Sequence, residues 1–305
     1  TYLYASGATE NCGNLRISVY AKRACLDVVV LEKEPMGGGQ MIYTQEVDNY
    51  LGLPETNGFD LAQKFEQHAK ALEVPFISDE VDNVEKNTDG TWKITGASGT
   101  VYETKTVLLA TGAGHRKLGV PGEETLAGAG VSYCATCDGA FFRNKTVAVV
   151  GGGDVALEDA LYLAAGCEKV YLIHRRQELR GTKVLQEQVA NEPKITFLPD
   201  TVVKEICGEQ MVDHLVIANT GTGEEKELPV SGIFIAVGMN PQTDAVASVL
   251  DLDHGYVRAG EDGVTEQPGL FVAGDVRTKK LRQIVTAVAD GANSVTSIVE
   301  YLKTL

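Results

Sequence analysis

The sequence predicts an α/β fold of two doubly wound units, one inserted into the other. Three observations carry that expectation. In mid-chain, residues 145–150 (KTVAVV) run into Gly151-Gly152-Gly153-Asp154-Val155-Ala156, a helical stretch follows over 157–165, and Lys169–Ile173 (KVYLI) completes a βαβ unit. Near the start, mixed apolar and basic residues at helical spacing over 15–24 lead into an apolar run, 28–31 (VVVL), closed by Glu32. Towards the end, two more apolar runs, 233–237 (IFIAV) and 269–273 (GLFVA), precede a long helical pattern over 284–301.

Residues 107–110 (VLLA) add a further buried strand closed by Thr111-Gly112. Gly/Pro-containing stretches at 118–122 (LGVPG) and 239–241 (MNP) punctuate the pattern. The expected division is residues 1–117, then an inserted unit over 118–242, then 243–305 returning to the first unit.

The chain has 305 residues, 44% hydrophobic and 23% charged, enough for two domains with proper cores. Its formal net charge of −15 argues against a nucleic-acid partner, whose phosphates would need a basic surface. No apolar run approaches the roughly 20 residues of a membrane helix, and the first residues show no basic flank before a long apolar core. Six cysteines occur, but only Cys134 and Cys137 are closely paired. Cys12, Cys25, Cys167 and Cys207 are scattered and read as ordinary buried or partly buried residues. A reducing, cytoplasmic compartment fits that usage.

Residues 151–156 match G-x-G-x-x-A between an expected strand and an expected helix. Gly151 permits the tight turn, Gly153 lets the backbone approach a pyrophosphate, and Ala156 packs helix on strand. The helix start, with Asp154 and Val155, offers N–H donors and positive potential to an anion. The second strand of this unit ends in His174-Arg175-Arg176 rather than in an acid, and Arg180 follows four residues on. An acid there would read a ribose hydroxyl; a cationic cluster suits a 2′-phosphate. A helix beginning at this point would put Arg176 and Arg180 on one face. The competing readings are an empty glycine turn and a solvated basic surface. Both sit poorly with a cluster placed where the discriminating residue belongs.

Cys134-Ala135-Thr136-Cys137-Asp138 precedes the central strand. A C-x-x-C pair closes a small disulfide loop, and its thiolates are reactive when their pKa is depressed. Zinc would need a second pair or a histidine pair, and neither follows. Two inert cysteines remain the bland alternative. Asp138 reads either as a proton donor to a leaving thiolate or as a turn acid, and the two roles are compatible.

C-A-T-C-D ahead of G-G-G-D-x-A and H-R-R-x-x-x-R resembles the low-molecular-weight, bacterial-type thioredoxin reductases. The likeness extends along nearly the whole chain. Gly37-Gly38-Gly39-Gln40, Val47-Asp48-Asn49-Tyr50, Ala110-Thr111-Gly112, Gly274-Asp275 and Arg282-Gln283-Ile284 resemble that family's flavin-contacting segments. The resemblance implies two Rossmann-like domains, with FAD in the outer split domain and NADPH in the inner one, and a homodimer. It implies electron flow from NADPH through FAD to a Cys134–Cys137 disulfide, and on to a small thioredoxin-like protein. Cys137 would face the flavin and Cys134 the substrate, with Asp138 supplying a proton. The family's domain rotation would place hinges near 117–122 and 237–243.

One segment departs from the pattern. The outer domain's own G-x-G-x-x-G would fall on Thr9, Asn11 and Asn14, with Gly7 and Gly13 misspaced, and residues 2–6 make a poor buried strand. A sequence error at the start, a different local path with FAD held through Glu32, Gly38 and the carboxyl-terminal half, or weakened FAD binding would each explain this. The intact Glu32 and later flavin segments favour the first two. Two rivals stay open: a reductase on the same scaffold fed by another donor such as ferredoxin, and a non-enzymatic redox-sensing, nucleotide-binding module.

Overall fold

The structure is a computed structural model, and it describes residues 2–5, 12–34, 37–44, 47 and 49–305. The irregular positions Gly7, Thr9 and Asn11 lie outside the described residues. Gly13 and Asn14 are described only as helical backbone. The chain forms two compact units, one of Thr1–Gly114 with Asn240–Leu305 and one of His115–Met239.

In the first unit, β1 (Tyr2–Ala5), α1 (Cys12–Arg23) and β2 (Val28–Glu32) open a parallel sheet. Then come α2 (Gly58–Ala71) and β3 (Phe76–Ser78). An antiparallel layer of β4 (Val81–Lys86), β5 (Trp92–Gly96) and β6 (Val101–Thr104) follows, and the chain returns to the sheet in β7 (Val107–Leu109). The crossing between units falls in the short strand β8 (Ala113–His115).

The second unit begins with β9 (Val131–Ser132) and the one-turn helix α3 (Ala135–Asp138). It continues through β10 (Thr146–Val150), α4 (Asp154–Gly166), β11 (Lys169–Ile173), α5 (Lys183–Asn191) and β12 (Ile195–Leu198). A second antiparallel layer, β13 (Thr201–Cys207), β14 (His214–Asn219) and β15 (Glu225–Pro229), precedes β16 (Gly232–Ile235). The return crossing lies in β17 (Met239–Pro241). The first unit then resumes with the ribbon β18 (Leu252–Asp253) and β19 (Tyr256–Val257), strand β20 (Leu270–Val272) and the long helix α6 (Ile284–Leu302).

Both units repeat one plan: a five-stranded parallel sheet between a helical layer and a three-stranded antiparallel layer. The strand orders are β20-β7-β1-β2-β3 and β12-β11-β10-β16-β9. Strands buried on both faces read as continuous apolar runs, which explains VVVL and TVAVV. In the second unit Val147, Val149 and Leu172 pack on Ala156, Leu157, Ala160 and Leu163 of α4. Ala148, Val150 and Ile173 face Val203, Leu215 and Leu228 of the antiparallel layer. In the first unit Val28, Val30 and Leu108 join Ile17 of α1 and Val295 of α6, while Leu31, Val107 and Leu109 pack on Trp92 and Ile94. Each fully buried aliphatic contributes about 1.5–3 kcal/mol relative to exposure.

Two expectations need correction. Residues 2–5, a poor strand by composition, form the central strand of the first sheet, with Tyr2 opposite Val28 and Leu3 opposite Val107. Pairing on both sides overrides a weak intrinsic preference. Cys25, expected to be at least partly buried, is exposed in the turn after α1. The 118–122 stretch is stapled: Glu123, 1% exposed, accepts from Leu118 N at 2.9 Å, Gly119 N at 2.7 Å and the Tyr133 hydroxyl at 2.8 Å.

Candidate functional site

Strand β10 delivers the chain to the glycine turn. A Cβ at Gly151 would stand 2.4 Å from the Ala236 carbonyl oxygen and 2.5 Å from the Ala156 Cβ, so only glycine allows strand and helix to close up there. Gly152 lies against the His174 ring, 2.4 Å from where its Cβ would be. Gly153 differs: a Cβ there would meet none of the described residues within 4 Å. It is also the N-cap of α4, and among the described residues no side-chain bond caps the helix there. An open backbone, unfilled donors and the positive end of a three-turn helix together fit a pyrophosphate.

Asp154 is exposed at the helix start, and its Oδ1 accepts from Thr182 N at 2.6 Å. Val155 is 63% exposed beside it. Beyond β11, Arg175, Arg176 and Arg180 are all exposed. No helix begins at 176; α5 starts at Lys183, and backbone bonds place Arg180 instead. Arg180 N and Gly181 N both donate to the Gly152 carbonyl, at 2.6 and 3.1 Å. The arginine is thus tied to the glycine turn itself.

His174 parts company with the arginines. It is 5% exposed, and among the described residues its Nε2 has no hydrogen-bond partner. Burial, then the charges of Arg180, Arg175 and Arg176, push its pKa below the ordinary histidine value. It is a neutral ring beneath the turn, so the cationic cluster consists of three arginines.

Cys134 and Cys137 form a disulfide at the two ends of the C-x-x-C turn, with Cα atoms 5.3 Å apart. Strand β9 positions it. Ser132, at the strand's end, accepts from Cys134 N at 3.1 Å and donates to Asp138 Oδ2 at 2.5 Å. The Thr136 hydroxyl lies 3.4 Å from Cys134 Sγ. Burial raises the Asp138 pKa, against a smaller lowering by Ser132. A carboxyl that holds its proton above the usual range is suited to protonating a departing thiolate. Ser132 was missed in the sequence, because nothing in C-A-T-C-D points two residues upstream.

The Asp138 shift has a consequence for stability. A raised native pKa means that the folded state binds the proton more tightly than the unfolded chain. This contribution is complete below the unfolded value and is lost as pH rises through the native one. Asp138→Asn is therefore expected to raise the melting temperature relative to the parent at pH 8 and to match it at pH 3. A gap independent of pH would refute that assignment.

In the first unit, Glu32 ends β2 at 6% exposure and accepts from Glu34 N at 3.1 Å. Gly38 adopts φ +125°, and a Cβ there would stand 2.7 Å from that of Ala62, so packing on α2 demands glycine. Gly39 and Gln40 begin a 3₁₀ turn. Ala110 and Thr111 are buried after β7, and Gly112 turns the chain at φ +71°. Gln283 is the N-cap of α6 in a capping box with Thr286, and its Oε1 accepts from Asn49 Nδ2 at 2.9 Å. Arg282 stacks over the Tyr256 ring at 4.3 Å.

Asp275 is the informative residue. It is 1% exposed, and among the described residues neither carboxylate oxygen receives a hydrogen bond. Lys279 Nζ lies 3.5 Å from Oδ1 and 2.9 Å from Asp290 Oδ2. Arg277 grips Asp290 with two bonds, at 2.6 and 2.8 Å, and Gly274 N donates to Asp290 at 3.1 Å. A buried carboxylate that receives no hydrogen bond is costly even with a cation 3.5 Å away. The polyol hydroxyls of a flavin cofactor would satisfy it, so the residues present fit FAD. Arg277, Lys279 and Asp290 were not read from the sequence, since ordinary spacing hides a network spanning 13 residues.

A C-x-x-C disulfide and an open dinucleotide turn carried by one unit define a pyridine-nucleotide-linked disulfide oxidoreductase. The family model described as pyridine nucleotide-disulphide oxidoreductase matches residues 11–291. A thioredoxin reductase of Listeria innocua is 40% identical over 290 residues, covering 94% of this chain and 90% of that protein. One from Bacillus subtilis is 39% identical, covering 94% and 91%. The crystal structure of thioredoxin reductase from Streptococcus pyogenes superposes with a TM-score of 0.92 at 40% identity, covering 100% of this chain and 98% of that one. The chain belongs to the thioredoxin reductase family.

Proposed function

We infer that the protein is an NADPH-dependent disulfide reductase that passes electrons through FAD and the Cys134–Cys137 pair to a small thioredoxin-like protein. The observation that carries this reading is the disulfide held at Asp138, whose pKa is raised by burial and whose carboxylate is bonded to Ser132. When bound, NADPH and FAD supply the hydride and the electron pair that open the disulfide. The outer unit is the FAD domain in this reading, with Glu32 and Asp275 as its buried acids. The inner unit takes NADPH at Gly151, Gly153 and the start of α4, with Arg175, Arg176 and Arg180 on the 2′-phosphate.

The rest is thiol chemistry of this chain. The Cys134 thiolate attacks one sulfur of the partner's disulfide. That S–S bond breaks, the departing partner thiolate is protonated, and a mixed disulfide joins the two proteins. Cys137 then attacks the Cys134 sulfur, releases the partner as a dithiol and re-forms the Cys134–Cys137 bond. Asp138 donates the proton that a leaving thiolate needs. The same reading makes the protein a cytoplasmic homodimer. Among the described residues no helix is long and apolar enough to cross a membrane.

The purified protein is expected to carry about one FAD per chain, the stoichiometry of one site per domain. Absorbance of the released flavin against protein concentration measures it. A colourless protein that takes up no FAD on reconstitution would overturn the reading.

A further inference from the structure

The three arginines are not held alike. Arg175 and Arg176 follow β11 directly, whereas Arg180 sits in the strap between β11 and α5, which has no regular structure around it. A long cationic side chain on a loose strap would surrender much conformational freedom on meeting a phosphate. The strap is not loose. Arg180 N and Gly181 N are bonded to the glycine turn, and Thr182 N is bonded to Asp154. Gly181 approaches α4 so closely that a Cβ would stand 2.8 Å from Leu157 Cδ2 and 3.2 Å from Asp154 Oδ1.

These bonds use the strap's N–H groups. Two of its carbonyls are satisfied from the other side by one residue. Gln186, in the first turn of α5 and partly buried, donates from Nε2 to the Gly181 carbonyl at 2.6 Å and to the Leu179 carbonyl at 3.2 Å. These are the carbonyls on either side of Arg180. Gln186 Oε1 is 3.5 Å from Lys183 Nζ, and Gln186 N donates to the Thr182 carbonyl at 3.0 Å. An amide is the side chain that supplies two donors on one nitrogen with an acceptor beside them.

We propose that Gln186 is a positioning residue for Arg180, and through it a determinant of the preference for a dinucleotide carrying a 2′-phosphate. Gln186 touches no ligand in this role. It fixes the backbone on both sides of Arg180, so the backbone's share of the ordering cost is met before the guanidinium reaches the phosphate. The proposal rests on the assignment of the arginines to the 2′-phosphate.

Calorimetric titration of the FAD-loaded protein with adenosine 2′,5′-bisphosphate and with 5′-AMP tests it. Gln186→Met keeps the volume and helix preference and removes both donors. It is expected to weaken the bisphosphate about tenfold, the scale of one ordered side chain, and to leave 5′-AMP unchanged. In an Arg180→Ala background the same change is expected to cost nothing further. A merely structural role would weaken both ligands, and would do so with or without Arg180; either result overturns the proposal. Parent-like binding of the bisphosphate by Gln186→Met, alongside a loss in Arg180→Ala, would overturn the positioning role alone. Parent-like binding by Arg180→Ala would overturn the phosphate assignment beneath it.

Discussion

Replacing Cys134 or Cys137 by serine is expected to abolish reduction of a protein disulfide, with turnover falling by at least about a thousandfold, as for loss of a covalent nucleophile. The two sulfurs are bonded to one another, so neither can relay electrons once the other is gone. NADPH is still expected to reduce the flavin in both variants, since hydride transfer needs neither sulfur. The variants separate when mixed with a thioredoxin-like partner that lacks its own resolving cysteine and carries its remaining cysteine as a disulfide with thionitrobenzoate, which departs as the thiolate when that sulfur is attacked. Cys137→Ser leaves Cys134 as the lone attacking thiol and is expected to accumulate a mixed disulfide, seen as a shifted band on non-reducing electrophoresis. Cys134→Ser is expected to accumulate little. The reverse pattern would exchange the roles of the two sulfurs, and near-parent turnover by either variant would remove the pair from the relay.

The serine variants leave the rest of the site standing because the positioning groups are not the sulfurs. Ser132 holds both Cys134 N and Asp138, and the Tyr133 hydroxyl next to it is anchored on Glu123. His115 stacks on the Tyr133 ring at 5.1 Å. These contacts join the segment entering the second unit to the strand that presents the disulfide.

What the sequence made legible was the chemistry that depends on local order. The glycine turn, the C-x-x-C pair and the arginines are each a short string whose spacing is the signal. Long apolar runs located the parallel strands, because a strand covered on both faces has no polar side to confuse the pattern. What stayed hidden depends on who meets whom across the fold. Residues 2–5 are a strand because β2 and β7 flank them, a fact of pairing that composition does not carry. His174 and Arg175 are adjacent letters, yet one is buried and neutral and the other exposed, because alternate residues at a strand end leave on opposite faces. Asp275 was singled out by resemblance, but the Lys279, Asp290 and Arg277 network around it is a product of the turn into α6. Gln283 was singled out for a flavin, and the structure gives its side chain a capping role at the start of that helix.

Donor choice provides the second large effect. A 2′-phosphate distinguishes NADPH from NADH and carries close to two negative charges at neutral pH. Arg175 and Arg176 stand exposed at the end of β11, where an acid would read the free ribose hydroxyl instead. Charge-assisted hydrogen bonds from guanidinium to phosphate are among the stronger polar contacts, and Arg can make them in pairs. The two contributions do not add in full, since salt screens an exposed site. Their joint loss is expected to weaken NADPH roughly a hundredfold. In Arg175→Ala/Arg176→Ala the KM for NADPH is therefore expected to rise by about that factor, with kcat preserved and the KM for NADH nearly unchanged. His174 contributes no charge to this preference, because burial and the neighbouring arginines keep its ring neutral. The selectivity is accordingly expected to hold flat as pH falls from 8 to 7, and to weaken as salt is raised. Steady-state kinetics with both donors at two ionic strengths measures all of this. Equal use of NADH and NADPH by the parent protein would defeat the phosphate assignment, and a parent inert to both would point to a protein electron donor.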